Sequence, residues 1–552
     1  MSARQQVAVV TGGGGGIGAA IAEELGRGGW FVVTLDPLVT LDGSEQLPEQ
    51  TETTAGRIVA AGGTAQASSV SVTDPDAVSG LFRELVDEHG GLDAVVNVAG
   101  ITRPTFFASG TEEDWLAVLG VHLGGYLNIL DAALPLMAAA GTGHILGVTS
   151  GSGWRAADAG AYSCAKRAIA ALTWQLGRQV PPGVTVNAMS PIAATRMVAA
   201  ALERARKAGR SGGGGISFLT MAGPEDLGPL GAYLVDDSFG WCSGQVLFVG
   251  GSEVAVIDEP RLLEVVRSDE VVSLDRVLEA AVPRALATAE TAQVSDGGGN
   301  PRFGPIFDEP APAAVASAHV RSCVVVTDRP RFAASLTAAL EARSITCHPV
   351  EVVHTFAEAA EALRSAVDAT GPIDAIVVAP AGSQPADSSM DGWPRILAEH
   401  RGIVEQIRTD AAWARAAADY SASAGRPVQL VTLTDAETTG GRSRAQASAQ
   451  LARAAAGATE GRVTAFAVSI EASEEEAEQS VGALVSHLLS HSDAAALAGA
   501  ELAIGADRIG LRSHPRPRGS ITYGGPSVPG WLDATLREIV GVTSRALSVE
   551  AR

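Results

Sequence analysis

The apolar positions of this chain fall into short continuous runs separated by stretches with helical spacing. Val7 to Val10 form a β-branched run, Ile17, Ala20, Ile21 and Leu25 follow at helical intervals, and "WFVVTLD" begins a second run at Trp30. The pattern predicts strand, tight turn, helix and strand. It continues through "AQASSVSV", "LDAVVNVAG", "GHILGVTS", "GVTVNAMSP" and "GQVLFVGG", with amphipathic stretches between. Such alternation predicts a parallel sheet covered by helices on both faces. Residues 259–290 carry helical spacing, and the Gly/Pro-rich segment 294–317 reads as an inter-domain linker.

The alternation then restarts with "SCVVVTD", "ITCHPVEVV", "IDAIVVAPAG", "PVQLVTLTD", "RVTAFAVSI" and "AELAIGADRIGL". "IDAIVVAPAG" echoes "LDAVVNVAG", and Gly499 and Gly505 answer Gly244 and Gly250 at equal spacing. Self-similarity of this kind predicts a tandem duplication. The expected fold class is α/β, with two tandem Rossmann-like doubly wound parallel-sheet domains, the second degenerate. The expected divisions are a catalytic domain at 1–258, a helical extension and linker at 259–317, a degenerate domain at 318–515, and a tail with a docking helix at 516–552.

Chemistry is concentrated in the first copy. Gly12 to Gly16 lie between a strand and a helix, where glycine lets backbone amides approach a pyrophosphate. The alternative, a flexible low-complexity tract, would have polar flanks. Tyr162 and Lys166 are four residues apart, so on a helix they share a face. An ammonium there is expected to lower the pKa of the phenol. Ser150 ends "GHILGVTS", where it can hydrogen-bond a substrate oxygen. Taken alone, the Tyr–Lys pair reads equally as a solvated helix face. The second copy has "TDRPRFAA" where the first has "TGGGGGIG", and Arg329, Pro330 and Arg331 would fill the pyrophosphate space.

In this order, these motifs make the first 250 residues similar to the short-chain dehydrogenase/reductase family. "TGGGGGIG" matches the family's TGxxxGxG turn, "NVAG" matches its NNAG segment with Val98 for the second Asn, and Ser150, Tyr162 and Lys166 match its triad. The resemblance implies that Tyr162 is the general acid/base, that Lys166 tunes it and holds the nicotinamide ribose, and that Ser150 orients the substrate. Ser152 is the alternative, because the Ser-to-Tyr loop is one residue short. It also implies cofactor contacts at Gly12, Gly16, Ile17, Gly18, Asn97, Ala99, Gly100, Ile192 and Thr195. The family's helix asparagine is replaced by His122, which is either a proton-relay group or a packed helix histidine. That histidine, the insertion after the second strand, "SPIAATRM" and the extension after the last strand resemble the (3R)-hydroxyacyl-CoA dehydrogenase unit of multifunctional enzymes.

Asp36 ends the second strand, where a carboxylate accepts ribose hydroxyls and repels a 2′-phosphate, so NAD(H) is expected over NADP(H). The family's adenine-side Asp has no counterpart in "SSVSVTD". Arg196, Arg204 and Arg206, with Lys207 and Arg210, precede four glycines. They form either a solvated helix face or a site for an anionic substrate such as a CoA thioester. The implied activity is a secondary alcohol/ketone oxidoreductase acting on a 3-hydroxyacyl-CoA type thioester or a steroid- or terpene-like alicyclic alcohol. The rival of another class is a nucleotide-binding scaffold without turnover.

The remaining properties narrow partners and location. The chain has 552 residues and a formal net charge of −22, which argues against nucleic-acid partners. Its four cysteines have neither metal-ligand spacing nor the density of a disulfide scaffold, so no metal is expected. No leader, membrane span or peroxisomal address is visible, and a cytoplasmic location is expected. The long Ala-rich helices of the second copy place Gln446 and Gln450 opposite Tyr162 and Lys166 in a tentative alignment. They lead to the expectation of an intramolecular pseudo-dimer, and of a homodimer of such chains.

Overall fold

The computed structural model describes residues 4–48, 52–153, 158–207, 221–267, 273–293, 319–383 and 385–541. The first half runs β1 (Val7–Thr11), α1 (Gly16–Arg27), β2 (Phe31–Leu35), α2 (Thr54–Ala60), β3 (Thr64–Ser68), α3 (Pro75–His89) and β4 (Ala94–Asn97). It continues through α4 (Glu112–Leu119), α5 (Gly125–Ala140), β5 (Gly143–Val148), α6 (Gly160–Leu176), β6 (Val184–Pro191), α7 (Arg196–Lys207), β7 (Val246–Gly250) and β8 (Glu253–Asp258). β1 lies between β2 and β4, so the strand order reverses there. In an open parallel sheet the crevice at that reversal, outside the carboxyl ends of the strands, is where ligands bind.

The second half repeats the plan with β10 (Ser322–Val326), β11 (Thr346–Val350), β12 (Ala375–Val378), β13 (Val428–Asp435), β14 (Val463–Ile470), β15 (Glu501–Gly505) and β16 (Arg508–Arg512). β10 likewise lies between β11 and β12. The repeat extends to single contacts. The Asp93 carboxylate accepts from the Val7 amide and from Arg4, while Asp374 accepts from the Ser322 amide and from Arg426. Gly244 and Gly499 both adopt left-handed φ, +75° and +79°, and their amides donate to Val186 and Ala465.

Two boundaries differ from the expectation. Leu262–Arg267, expected to be helical, is a strand, β9, which pairs antiparallel with β16 of the second sheet. Arg516–Thr522, expected to be tail, is a strand, β17, which pairs antiparallel with β8 of the first sheet. Each half therefore completes the sheet of the other. Short apolar runs at a sheet edge look alike as helix or strand, and the available partner edge decides between them.

The two halves also share a core. Nearly every residue of α6 is buried, on all sides of the helix. One face covers its own sheet, and the other meets the helix Thr439–Ala458, whose alanines allow close approach. One apolar cluster runs from Val7, Trp115 and Leu172 in the first half to Trp413, Ala447 and Ala455 in the second. At its side Arg167, fully buried, donates to Gln446 Oε1 at 3.0 Å, Gln450 Oε1 at 3.4 Å and Glu501 Oε2 at 3.1 Å.

Candidate active site

The glycine turn cannot carry side chains. Gly12 and Gly16 have φ of +64° and +56°, which glycine alone adopts freely. A methyl on Gly18 would stand 2.3 Å from the Gly12 carbonyl oxygen, and one on Gly14 would stand 2.5 Å from Asp36 Oδ2. The turn folds back onto Ala99, whose amide donates to Thr11 Oγ1 at 3.0 Å, while Thr11 donates to Asn97 Oδ1 at 2.9 Å. Asp36 closes the far side, accepting the Gly14 amide at 3.1 Å and the Leu38 amide at 2.9 Å. This is an open backbone cradle at a helix N-terminus with an acid at its ribose end, and it fits a nicotinamide dinucleotide.

Ser150, Tyr162, Lys166 and His122 meet beyond the carboxyl end of β5. The Tyr162 phenol is hydrogen-bonded with Ser150, and Ser152 Oγ donates to Ser150 Oγ at 3.2 Å. Lys166 Nζ lies 5.7 Å from the Tyr162 ring centroid and donates to the Val148 carbonyl at 2.6 Å. The His122 ring meets the Tyr162 ring edge-on at 5.1 Å. It also packs on Gly100, where a methyl would stand 2.3 Å from His122 Cε1, so the glycine of "NVAG" makes room for it.

The electrostatics correct one expectation. The Tyr162 phenol is raised, not lowered, because its burial outweighs the hydrogen bond from Ser150. Burial also pulls Lys166 down to about 7, so the ammonium is a weaker stabiliser than an exposed lysine. Burial and the Lys166 charge hold His122 at about 3, and this ring is neutral at physiological pH. His122 Nε2 faces the Ile101 carbonyl at 2.9 Å, which makes it the protonated nitrogen and leaves Nδ1 an acceptor with no partner.

The helix around His122 widens into a π-type turn, Gly120–Gly124, between α4 and α5. Such bulges re-aim side chains at functional sites, and the glycines of "GVHLGG" were the available signal for it.

Of the other candidates, Ile192 donates its amide to Val249, and Thr195 accepts the Val198 amide at the start of α7. Arg196, expected at the substrate, lies instead over the glycine turn, where Nη2 would stand 3.1 Å from a methyl on Gly15. The turn of the chain after β6 brings it there, a placement no local pattern carries. The side chains of Arg204, Arg206 and Lys207, and residue Arg210, lie outside the described residues.

The degenerate copy differs in detail from the tentative alignment. Gln446 and Gln450 face α6, and Gln450 also donates to the Ser152 carbonyl at 3.1 Å. Arg444 and Ser448 are the residues that turn inward, pairing with Asp410 at 2.6 and 2.8 Å.

Comparison with known proteins gives the family of the first half. A family model described as short chain dehydrogenase matches residues 6–206. An acetoacetyl-CoA reductase of Allochromatium vinosum is 32% identical over 249 residues, 45% of this chain and 97% of the relative. A peroxisomal hydratase-dehydrogenase-epimerase of Neurospora crassa is 30% identical over 252 residues, 45% of this chain and 26% of that protein. A crystal structure of the N-domain of a bacterial malonyl-CoA reductase with NADP covers 91% of this chain and 98% of its own, with TM-score 0.65. At 16% identity that likeness shows the two-sheet fold alone. With its glycine cradle, its Ser–Tyr–Lys cluster and a relative matched over nearly its whole length, the chain belongs to the short-chain dehydrogenase/reductase family.

Proposed function

We propose that the first half interconverts a secondary alcohol and a ketone by hydride transfer, using NAD(H), and that the substrate is a 3-hydroxyacyl-CoA type thioester. The observation that carries the reading is the meeting of Tyr162, Ser150, Lys166 and His122 beside the glycine cradle. The bound nicotinamide supplies the hydride acceptor or donor. Ser150 fixes the substrate oxygen by a hydrogen bond, and Tyr162 Oη takes the alcohol proton or returns one to the ketone oxygen. Lys166 favours the phenolate that forms and holds the nicotinamide ribose. His122, held by Ile101, sets the position of the Tyr162 ring by its edge-on contact. Ile192 and Thr195 would contact the nicotinamide end, and Arg196, over the glycine turn, the pyrophosphate.

Asp36 supports NAD over NADP, because its carboxylate, held beside the Gly14 amide, would accept ribose hydroxyls and repel a 2′-phosphate. The acyl-CoA reading draws on the relative named acetoacetyl-CoA reductase. The packing of α6 on Thr439–Ala458 supports taking the two halves as an internal counterpart of a subunit pair, with two such chains forming the homodimer.

The test is a screen for nicotinamide reduction, by absorbance, over 3-hydroxyacyl-CoA thioesters and alicyclic alcohols. Turnover of thioesters alone supports the reading, and turnover of alicyclic alcohols alone replaces the substrate class. Cofactor binding without turnover of either assigns a scaffold.

A further inference from the structure

The loop that follows β4 meets the dehydrogenase site in two places. At its start, the Ile101 carbonyl faces His122 Nε2 at 2.9 Å. Further on, it seats the beginning of α6: Gly160 has φ of +51°, and a methyl there would stand 2.2 Å from the Thr105 carbonyl oxygen. Tyr162 follows in the same first turn of that helix. The Phe107 amide donates to Asp158 Oδ1 at 2.8 Å, which ties the loop to the segment entering α6. The loop also closes tightly on itself, since Gly110 has φ of +99° and a methyl there would stand 2.4 Å from the Pro104 carbonyl oxygen.

Closing the loop turns three carbonyls toward one place, and the group that meets them comes from the other half. Arg415, on the helix Ile403–Ala424, donates to Gly110 through Nη1 at 2.9 Å, to Phe107 through Nε at 3.2 Å and to Phe106 through Nη2 at 3.2 Å. Its guanidinium lies 5.3 Å from the Phe356 ring centroid, and the charges of Asp419 and Asp158 oppose the cost of burying it. Converging carbonyl dipoles repel one another, and carbonyls shielded from water without donors cost free energy. A planar guanidinium, with its donors in fixed directions, satisfies several at once, which an ammonium does not. The loop's geometry therefore depends on a side chain supplied from more than 300 residues further along the chain.

We infer that Arg415 is a positioning residue for the dehydrogenase site: the degenerate half holds the loop 101–110, and through it the start of α6 and the Tyr162 that helix carries. Arg415 acts through the loop rather than at the reacting atoms. The loop leaves β4 beside the reversal of strand order, so it walls the crevice in which ligands bind in such sheets. A shift of about 1 Å in a supporting element of this kind can cost about 10²-fold in rate. The second copy has thus lost its own chemistry and contributes to that of the first. The turnover part of this inference rests on the dehydrogenase reading, and the part concerning the loop and α6 stands without it.

The test compares the full-length parent with Arg415→Met, which keeps an apolar stem against Phe356 and removes the donors, with Arg415→Lys, and with Arg408→Met. Arg408 pairs with Glu112 at 3.5 Å from the same helix, so its loss reports a weakened seam contact. Turnover per nicotinamide-binding site should fall about 10- to 100-fold in Arg415→Met, by less in Arg415→Lys, and by under about twofold in Arg408→Met, with nicotinamide Kd held within about twofold in all three. Amide hydrogen exchange, read without substrate, should quicken about tenfold or more over 105–111 and 160–163 in Arg415→Met and stay near the parent rate in Arg408→Met. A parent that turns over no alcohol would sink the dehydrogenase reading, and exchange over the two segments would then decide the role of Arg415. Unchanged exchange in Arg415→Met, or unchanged turnover per site in an active enzyme, would overturn the inference. Equal losses in Arg408→Met and Arg415→Met would assign a general seam effect and overturn it too.

Discussion

The turns after β1 and β10 occupy the same place in two copies of one fold. In the first, Gly12 follows the strand, its amide donates to Leu35 at 2.8 Å, and the turn itself carries no side chain before α1. In the second, Thr327 takes that place, its amide reaches Val350 at 3.4 Å, and Thr327 Oγ1 and Arg329 Nη2 both donate to the Ala379 carbonyl. Arg329 also lies 3.9 Å from Glu474. The first turn keeps the amides of the α1 N-terminus free for an anion, and the second ties Thr327 and Arg329 to the Ala379 carbonyl. The helices tell the same story: Tyr162 and Lys166 point into a crevice, while Arg444 and Ser448 close on Asp410. A fold can thus lose its chemistry and keep its packing, because the helix face that meets the partner half is a different face from the one that meets the ligand.

Four experiments break or sharpen that contrast. The largest effect is expected at the seam. Arg167→Met removes the first-half partner of buried Glu501, leaving it Arg512 and Gln446, and should cost up to about 3–5 kcal/mol in denaturant unfolding, and Arg167→Met with Glu501→Met should recover much of it. A loss under 1 kcal/mol would mean that the halves do not depend on this contact. Next, Tyr162→Phe should lower turnover by ~10²-fold or more with cofactor affinity retained. Gln446→Ala and Gln450→Ala in the silent copy, which pair with Arg167 across the seam, should leave the chemical step unaltered. Calorimetry should find one nicotinamide site per chain, lost in Gly18→Ala and unaffected by Arg329→Ala; two sites per chain would erase the difference between the turns.

Third, Asp36→Ser should weaken NAD by about tenfold, roughly 1.4 kcal/mol, and strengthen NADP. A parent enzyme that already prefers NADP would contradict the role given to Asp36. The smallest effect concerns pH. Oxidation needs Tyr162 to take a proton and reduction needs it to give one, so with the phenol raised, oxidation should gain as pH rises and reduction should fall. His122, held at about 3, stays neutral throughout and contributes no limb. His122→Asn should then cost less than about tenfold in turnover and keep the shape of the pH profile; loss of a limb in that variant would make His122 a proton carrier.

Much of the site was legible in the chain. The glycine turn, Asp36, Ser150, Tyr162 and Lys166 depend on local order, since each sits at a strand end or one helical turn from its neighbour, and local periodicity and steric need are written in sequence. The two-copy organisation was legible for the same reason, through repeated strand patterns and glycines. What the sequence could not decide were the outcomes set by competition for space. The exchange of β9 and β17 depends on which sheet edge is free. The raised Tyr162 and lowered Lys166 depend on how much water the packed elements exclude around them. The place of Arg196 depends on the turn of the chain after β6, and the pairing of Gln446 and Gln450 with Arg167 on which face of the silent helix fits α6. Burial and long-range pairing are properties of the assembled chain, and they arise only once both halves are packed together.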